Sequence, residues 1–95
     1  MKIAYARIAM IHQGPVFRMD EKGNKMELVT ARAELEDGSK EFANRAYQVH
    51  VVDPLSLARH EPTGGYLMDY GQFELSCLKN DNLKVSDRLK IEVME

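Results

Sequence analysis

Arg32, Phe42, Asn44 and Gln48 are the residues of this 95-residue chain whose types could do chemistry together. An aromatic ring stacks on a nucleobase, a guanidinium pairs with a phosphate or stacks, and side-chain amides reach base edges. Clean alternation places Val29, Ala31, Ala33 and Leu35 on one face, so Arg32 points the other way. In residues 41–52, Ala43, Tyr47, Val49 and Val51 share one face and Phe42, Asn44, Gln48 and His50 the other. Asp37-Gly38 between the two runs is a hairpin signal. Pairing through it sets the four side chains outward on adjacent strands. The plainer reading makes Phe42 a hydrophobe at a hairpin end and the other three solvated.

Arg18 and Lys25, with Arg7 and Phe17, form a basic flank around the first turn, although Asp20 and Glu21 stand close by. The plainer reading there is an ordinary solvated strand end. Tyr66, Tyr70 and Phe73 are aromatics that either stack on bases or pack at a barrel rim. Phe73 completes the candidate nucleic-acid-binding set of Arg18, Lys25, Arg32, Phe42, Asn44, Gln48 and Phe73.

Catalytic constellations are not legible. His12, His50 and His60 lack metal-ligand spacing, and Cys77 has no cysteine partner. Cys77 alternates with Phe73 and Leu75, as a small buried hydrophobe does. Gly64-Gly65 precedes a strand instead of following one, which does not suit a phosphate loop. The expectation is a non-catalytic protein without cofactor or metal.

The elements that must position these residues are strands. Residues 2–12 read as a strand, bent at Gly14-Pro15 and continued by Val16–Met19. Residues 20–24 (DEKGN) make a polar turn. Met26 and Leu28 are out of phase with the Val29 set, which suggests a bulge near Leu28. Asp53 suits a helix N-cap and Pro54 the first helical position, giving at most two turns before Pro62. Tyr66–Leu78 reads as a strand bent at Gly71, and Leu83–Met94 as the last strand, with Leu89, Ile91 and Val93 on one face. The expected core is Val29, Ala31, Leu35, Tyr47, Val49, Leu75, Leu89, Ile91 and Val93. Strand, strand, strand, short helix, strand, strand is the order of a five-stranded antiparallel barrel of the oligonucleotide/oligosaccharide-binding type, its helix between strands 3 and 4. A small sandwich or roll has the same order and competes.

Ninety-five residues allow one domain, residues 1–95, with a single core. The charged share of 29% and apolar share of 44% suit a globular chain. No apolar run approaches the ~20 residues of a membrane span. The N-terminal MKIAYARIAMIHQ reads as a strand and not a signal peptide, since Arg7 and His12 interrupt it. A lone cysteine fits a reducing cytoplasm. Net charge is −2, which argues against a strongly basic binder of nucleic acid or membrane. The charge is uneven: residues 1–52 hold 8 basic against 7 acidic side chains, and residues 53–95 hold 5 against 8.

The stretch PTGGYLMDYGQFELSCLKNDNLKVSDRLKIEV resembles the single-strand-binding, helix-destabilising proteins of filamentous phages. The resemblance is carried by Pro62, Gly65, Tyr66, Phe73 and the run Asp87-Arg88-Leu89-Lys90-Ile91. KGNKMELVTARAELEDGSKEF is similar to that family's second hairpin, with Met26 where an exposed aromatic is expected. The resemblance implies a compact β-barrel dimer that coats single-stranded DNA. Two functional expectations follow. One is sequence-tolerant binding of single-stranded nucleic acid. The other is a protein-binding β-module, such as a phage- or plasmid-encoded inhibitor or assembly adaptor, which the acidic balance favours.

Overall fold

The structure, a computed structural model, describes residues 2–53, 66–79 and 82–94, with backbone only at 13–16 and 53. It is mainly β. The strands are β1 (Lys2–Met19), β2 (Lys25–Leu35), β3 (Tyr47–Asp53), β4 (Tyr66–Met68), β5 (Gln72–Leu78) and β6 (Arg88–Met94). All six join one antiparallel sheet in the order β4-β3-β6-β1-β2-β5. The sheet curls into a half-barrel. Its two edges, β4 and β5, share a bridge between Asp69 and Gln72, and Tyr66 of β4 reaches the Phe73 ring and the Ser76 carbonyl of β5. No described helix is long and apolar enough to cross a membrane.

This departs from a closed five-stranded barrel in three ways. The expected strand 66–78 is two strands, because Tyr70 (φ 51°) and Gly71 (φ 79°) reverse the chain completely instead of bending it. The strand 41–52 begins only at Tyr47. And Asp37-Gly38 does not turn a hairpin: Asp37–Phe42 is a 3₁₀ helix. So β2 and β3 do not pair; β2 lies between β1 and β5, and β3 between β6 and β4. The short helix expected after Asp53 falls on residues 54–65, outside the described residues.

The 3₁₀ helix has a structural task. β2 stops pairing at Leu35, opposite Ala6, so Tyr5 has no ladder partner on that side. The Tyr5 carbonyl accepts the Glu36 N–H at 2.9 Å, and the Tyr5 N–H donates to Ser39 Oγ at 3.0 Å. Ser39 is buried, and an unmet N–H there would cost about 1–3 kcal/mol.

The core lines the inner face. It gathers Ala4, Ala6 and Ile8 of β1, Ala31, Ala33 and Leu35 of β2, Val49 and Val51 of β3, Leu75 and Cys77 of β5, and Leu89, Ile91 and Val93 of β6. Val29 and Tyr47 pack against it while partly exposed. Alanines on β1 and β2 leave room for the larger chains opposite. The irregularity expected in β2 is in β1 instead. β2 runs in unbroken register with β5 from Leu28 to Glu34, whereas β1 shifts between Ile8 and Met10 and between His12 and Val16. Leu28 therefore lies in phase on the outer face, directly opposite Leu78.

Candidate nucleic-acid interface

The β1–β2 hairpin is fixed at its tip by turn chemistry. Asp20 Oδ1 accepts the N–H groups of Lys22 (2.9 Å) and Asn24 (2.7 Å). The Asp20 N–H donates to the Asn24 carbonyl at 2.9 Å, and Gly23 takes the positive φ (82°) that a side chain resists. Below the turn, Met19 pairs with Lys25, Arg18 with Met26 and Phe17 with Glu27. Alternation then puts Phe17, Met19, Lys25 and Glu27 on one face of the ribbon. Phe17 and Met19 are exposed, and Lys25 Nζ stands 3.9 Å from the centre of the Phe17 ring. Lys79 Nζ extends the same face by its pair with Glu27 Oε1 at 3.3 Å. An exposed ring with one ammonium on it and a second nearby can stack a base and meet a phosphate.

Arg18 and Lys25 are thus both on the hairpin but on opposite faces of it. Arg32 is on the outer face of β2, opposite Met10 and Glu74. Its guanidinium is 3.8 Å from Glu74 Oε1, and His12 Nε2 lies 3.9 Å from the same oxygen. The expected partner of Arg32 is elsewhere. Phe42 is 2% exposed and makes an edge-to-face contact with Tyr47 at 5.5 Å between ring centres. It cannot present its ring to a ligand from there. The outward reading started strand alternation at Glu41, but Glu41 and Phe42 still belong to the 3₁₀ helix, where a period of two does not hold. Phe73 is also buried, on the inner face opposite Ala33 and 6.2 Å from the Tyr66 ring.

Asn44 is exposed in the turn after the 3₁₀ helix. Gln48 is exposed on β3, between Met94 of β6 and Leu67 of β4. With β6 and β1 between β3 and β2, neither joins Arg32 in one patch. Arg32 and Phe73 do meet, on two sides of a groove of about 520 Å³ also lined by Leu67, Asp69, Gln72 and Glu74. It lies beside the Asp69–Gln72 bridge between β4 and β5.

Phe17 and Lys25 were legible together, since they flank one turn. Met19, Lys79, Leu67 and Asp69 were not. Lys79 reaches Glu27 through the β2–β5 pairing, and Leu67 reaches its neighbours through a full reversal at Tyr70-Gly71 where the sequence reads as a bend.

A second charge cluster lies at the other end of β2. Glu36 accepts from Arg88 Nε and pairs with Arg7 Nε at 2.9 Å, and Arg7 Nη1 also donates to the Ser86 carbonyl. The Arg88 hydrogen bond, then the charges of Arg88 and Arg7, hold the Glu36 carboxyl below its usual range against partial desolvation. The same bond raises Arg88. Arg88 also lies over the Tyr5 ring at 3.9 Å. This cluster clamps β1, β6 and the 3₁₀ segment. Among the described residues no three of His, Cys, Asp and Glu gather as a metal ion would require. Comparison with family models, curated proteins and solved structures finds no match to this chain.

Proposed function

We propose that this protein binds single-stranded nucleic acid, without catalysis, through the inner-phase face of the β1–β2 hairpin. The observation that carries the reading is the exposed Phe17 ring with Lys25 Nζ 3.9 Å from its centre, on a turn held rigid by Asp20. A base stacks on the free part of the ring, and Lys25 and Lys79 meet the phosphates on either side. Every base has a π-face, so recognition on the hairpin is tolerant of sequence. Asp20 is engaged with its own turn and Glu27 with Lys79, which lessens their opposition to a phosphate. Arg32 supplies a further cation on the outer face. The net charge of −2 keeps affinity modest for one copy, and a dimer with two hairpins would raise it. A reducing cytoplasm is the compartment that fits the lone, buried Cys77.

The test is titration of a fluorescent oligothymidylate at low salt with the wild type, Phe17→Ala and Lys25→Ala. Removing a stacking aromatic costs about 1–3 kcal/mol per base, so Phe17→Ala should weaken binding by roughly five- to 150-fold with an unchanged melting temperature. Lys25→Ala should reduce the log–log salt slope by about 0.7. Equal affinity of wild type and Phe17→Ala would refute the hairpin site.

A further inference from the structure

The groove at the seam of the half-barrel has a chemistry that the hairpin lacks. We infer that it is a subsite for a guanine base of the bound strand; this rests on the proposed nucleic-acid binding. The groove lies beside the Asp69–Gln72 bridge, where β4 and β5 are joined by bridge and side-chain contacts instead of a continuous ladder. Its volume, about 520 Å³, is in the range of small-ligand sites. Leu67, 59% exposed on β4, gives it apolar surface for a base, and the buried Phe73 backs it from the inner face. Asp69 and Glu74 make its polar wall electronegative, and Arg32 is its one cation among the described residues.

Those signs select among bases. An electronegative wall asks for donors. Guanine alone has two adjacent donors on its Watson–Crick edge, the N1–H and the exocyclic amine. They match the two oxygens of a carboxylate as a guanidinium does. Asp69 is the carboxylate available: it is exposed and its side chain enters no hydrogen bond or ion pair among the described residues. Glu74 is drawn to Arg32 and His12, and Glu34 accepts from Gln72 Nε2 at 3.3 Å. The turn that holds Asp69 is tight. The Asp69 N–H donates to the Gln72 carbonyl at 2.9 Å, the Gln72 N–H returns to Asp69 at 3.1 Å, and the Gly71 carbonyl accepts the Leu35 N–H at 2.8 Å. Arg32, 3.8 Å from Glu74 and so only loosely held, turns to the neighbouring phosphate.

The experiment compares a labelled oligothymidylate with an alternating thymidine–guanosine oligomer of equal length, by fluorescence anisotropy, on the wild type, Asp69→Asn and Asp69→Ala. The wild type should bind the guanine-containing oligomer about fivefold tighter or more, the scale of a two-point base contact. Both variants should lose that preference while keeping the affinity for oligothymidylate. Equal wild-type affinities, or a preference that survives in both variants, would overturn the subsite and leave the hairpin reading standing. No binding of either oligomer would overturn both.

Discussion

Arg88 reaches Glu36 across 52 positions of sequence, its Nε 2.9 Å from Oε2 and 3.1 Å from Oε1. One contact ties the first residue of β6 to the residue that follows β2. Arg7 of β1 closes on the same carboxylate. Three elements that only the fold brings together therefore share one charge.

That arrangement sets an acid dependence. The folded pKa of Glu36 lies below its ordinary value of 4.5. Its contribution to stability is then fully present above the unfolded pKa and is lost as pH falls through the folded one. Melting curves of wild type and Glu36→Gln should differ near neutral pH, with the wild type higher, and converge as pH falls below the ordinary carboxylate range. A gap that stays constant across this range would show that the ion pair contributes nothing.

Phe42 belongs to the core, and its replacement should act on stability. Phe42→Ala should cost about 3–5 kcal/mol, the range for a buried ring truncated to a methyl. Denaturant unfolding measures it directly. A loss below about 1 kcal/mol would place the ring at the surface after all.

The reversal at Phe42 marks where sequence reading stopped. Within strands, alternation was reliable: Leu89, Ile91 and Val93 face inward and Arg88, Lys90 and Glu92 outward, as their period of two implies. The turn at 20–24 was equally legible, because Asp and Gly act there through local bonds. Asp37-Gly38 carries the same local signal but continues into a helical turn, since Ser39 is needed to satisfy Tyr5, 34 positions away. Nothing local encodes that need. The seam groove was illegible for a similar reason. Arg32 and Phe73 were separately identifiable, but Leu67 comes beside them only because Tyr70-Gly71 reverses the chain, where the sequence reads as one bent strand. The pairing of β3 with β6 and β4, which separates Gln48 from Arg32, is likewise set by non-local contacts.

The turn at the sheet's seam stores strain at one residue and depends on glycine at the next. Tyr70 holds φ 51°, where a bulky side chain is disfavoured, and Asn tolerates that region better. Tyr70→Asn should therefore raise stability, by up to about 1 kcal/mol. Gly71→Ala should do the opposite. Its φ is 79° and a Cβ would come within 3.3 Å of the Ala43 Cβ, so a cost of about 1–3 kcal/mol is expected. Thermal melts of the two variants moving in the same direction would contradict the assigned turn.

Glu74 opposes any phosphate near Arg32, lying 3.8 Å from its guanidinium. Glu74→Gln should tighten binding of an oligonucleotide, by about two- to fivefold for an exposed charge pair worth up to ~1 kcal/mol. Unchanged or weaker binding would mean that Arg32 does not meet the strand.

The most direct test of nucleic-acid binding is a map of amide chemical shifts on the ¹⁵N-labelled protein as oligothymidylate is added at low salt. The largest changes should fall at Phe17, Met19 and Lys25, beside the exposed Phe17 ring that carries an ammonium on its face. Phe42 and Tyr47, sealed in the core contact, should move little. A spectrum that does not change at any ratio of oligonucleotide, or changes that leave the hairpin untouched, would contradict the account.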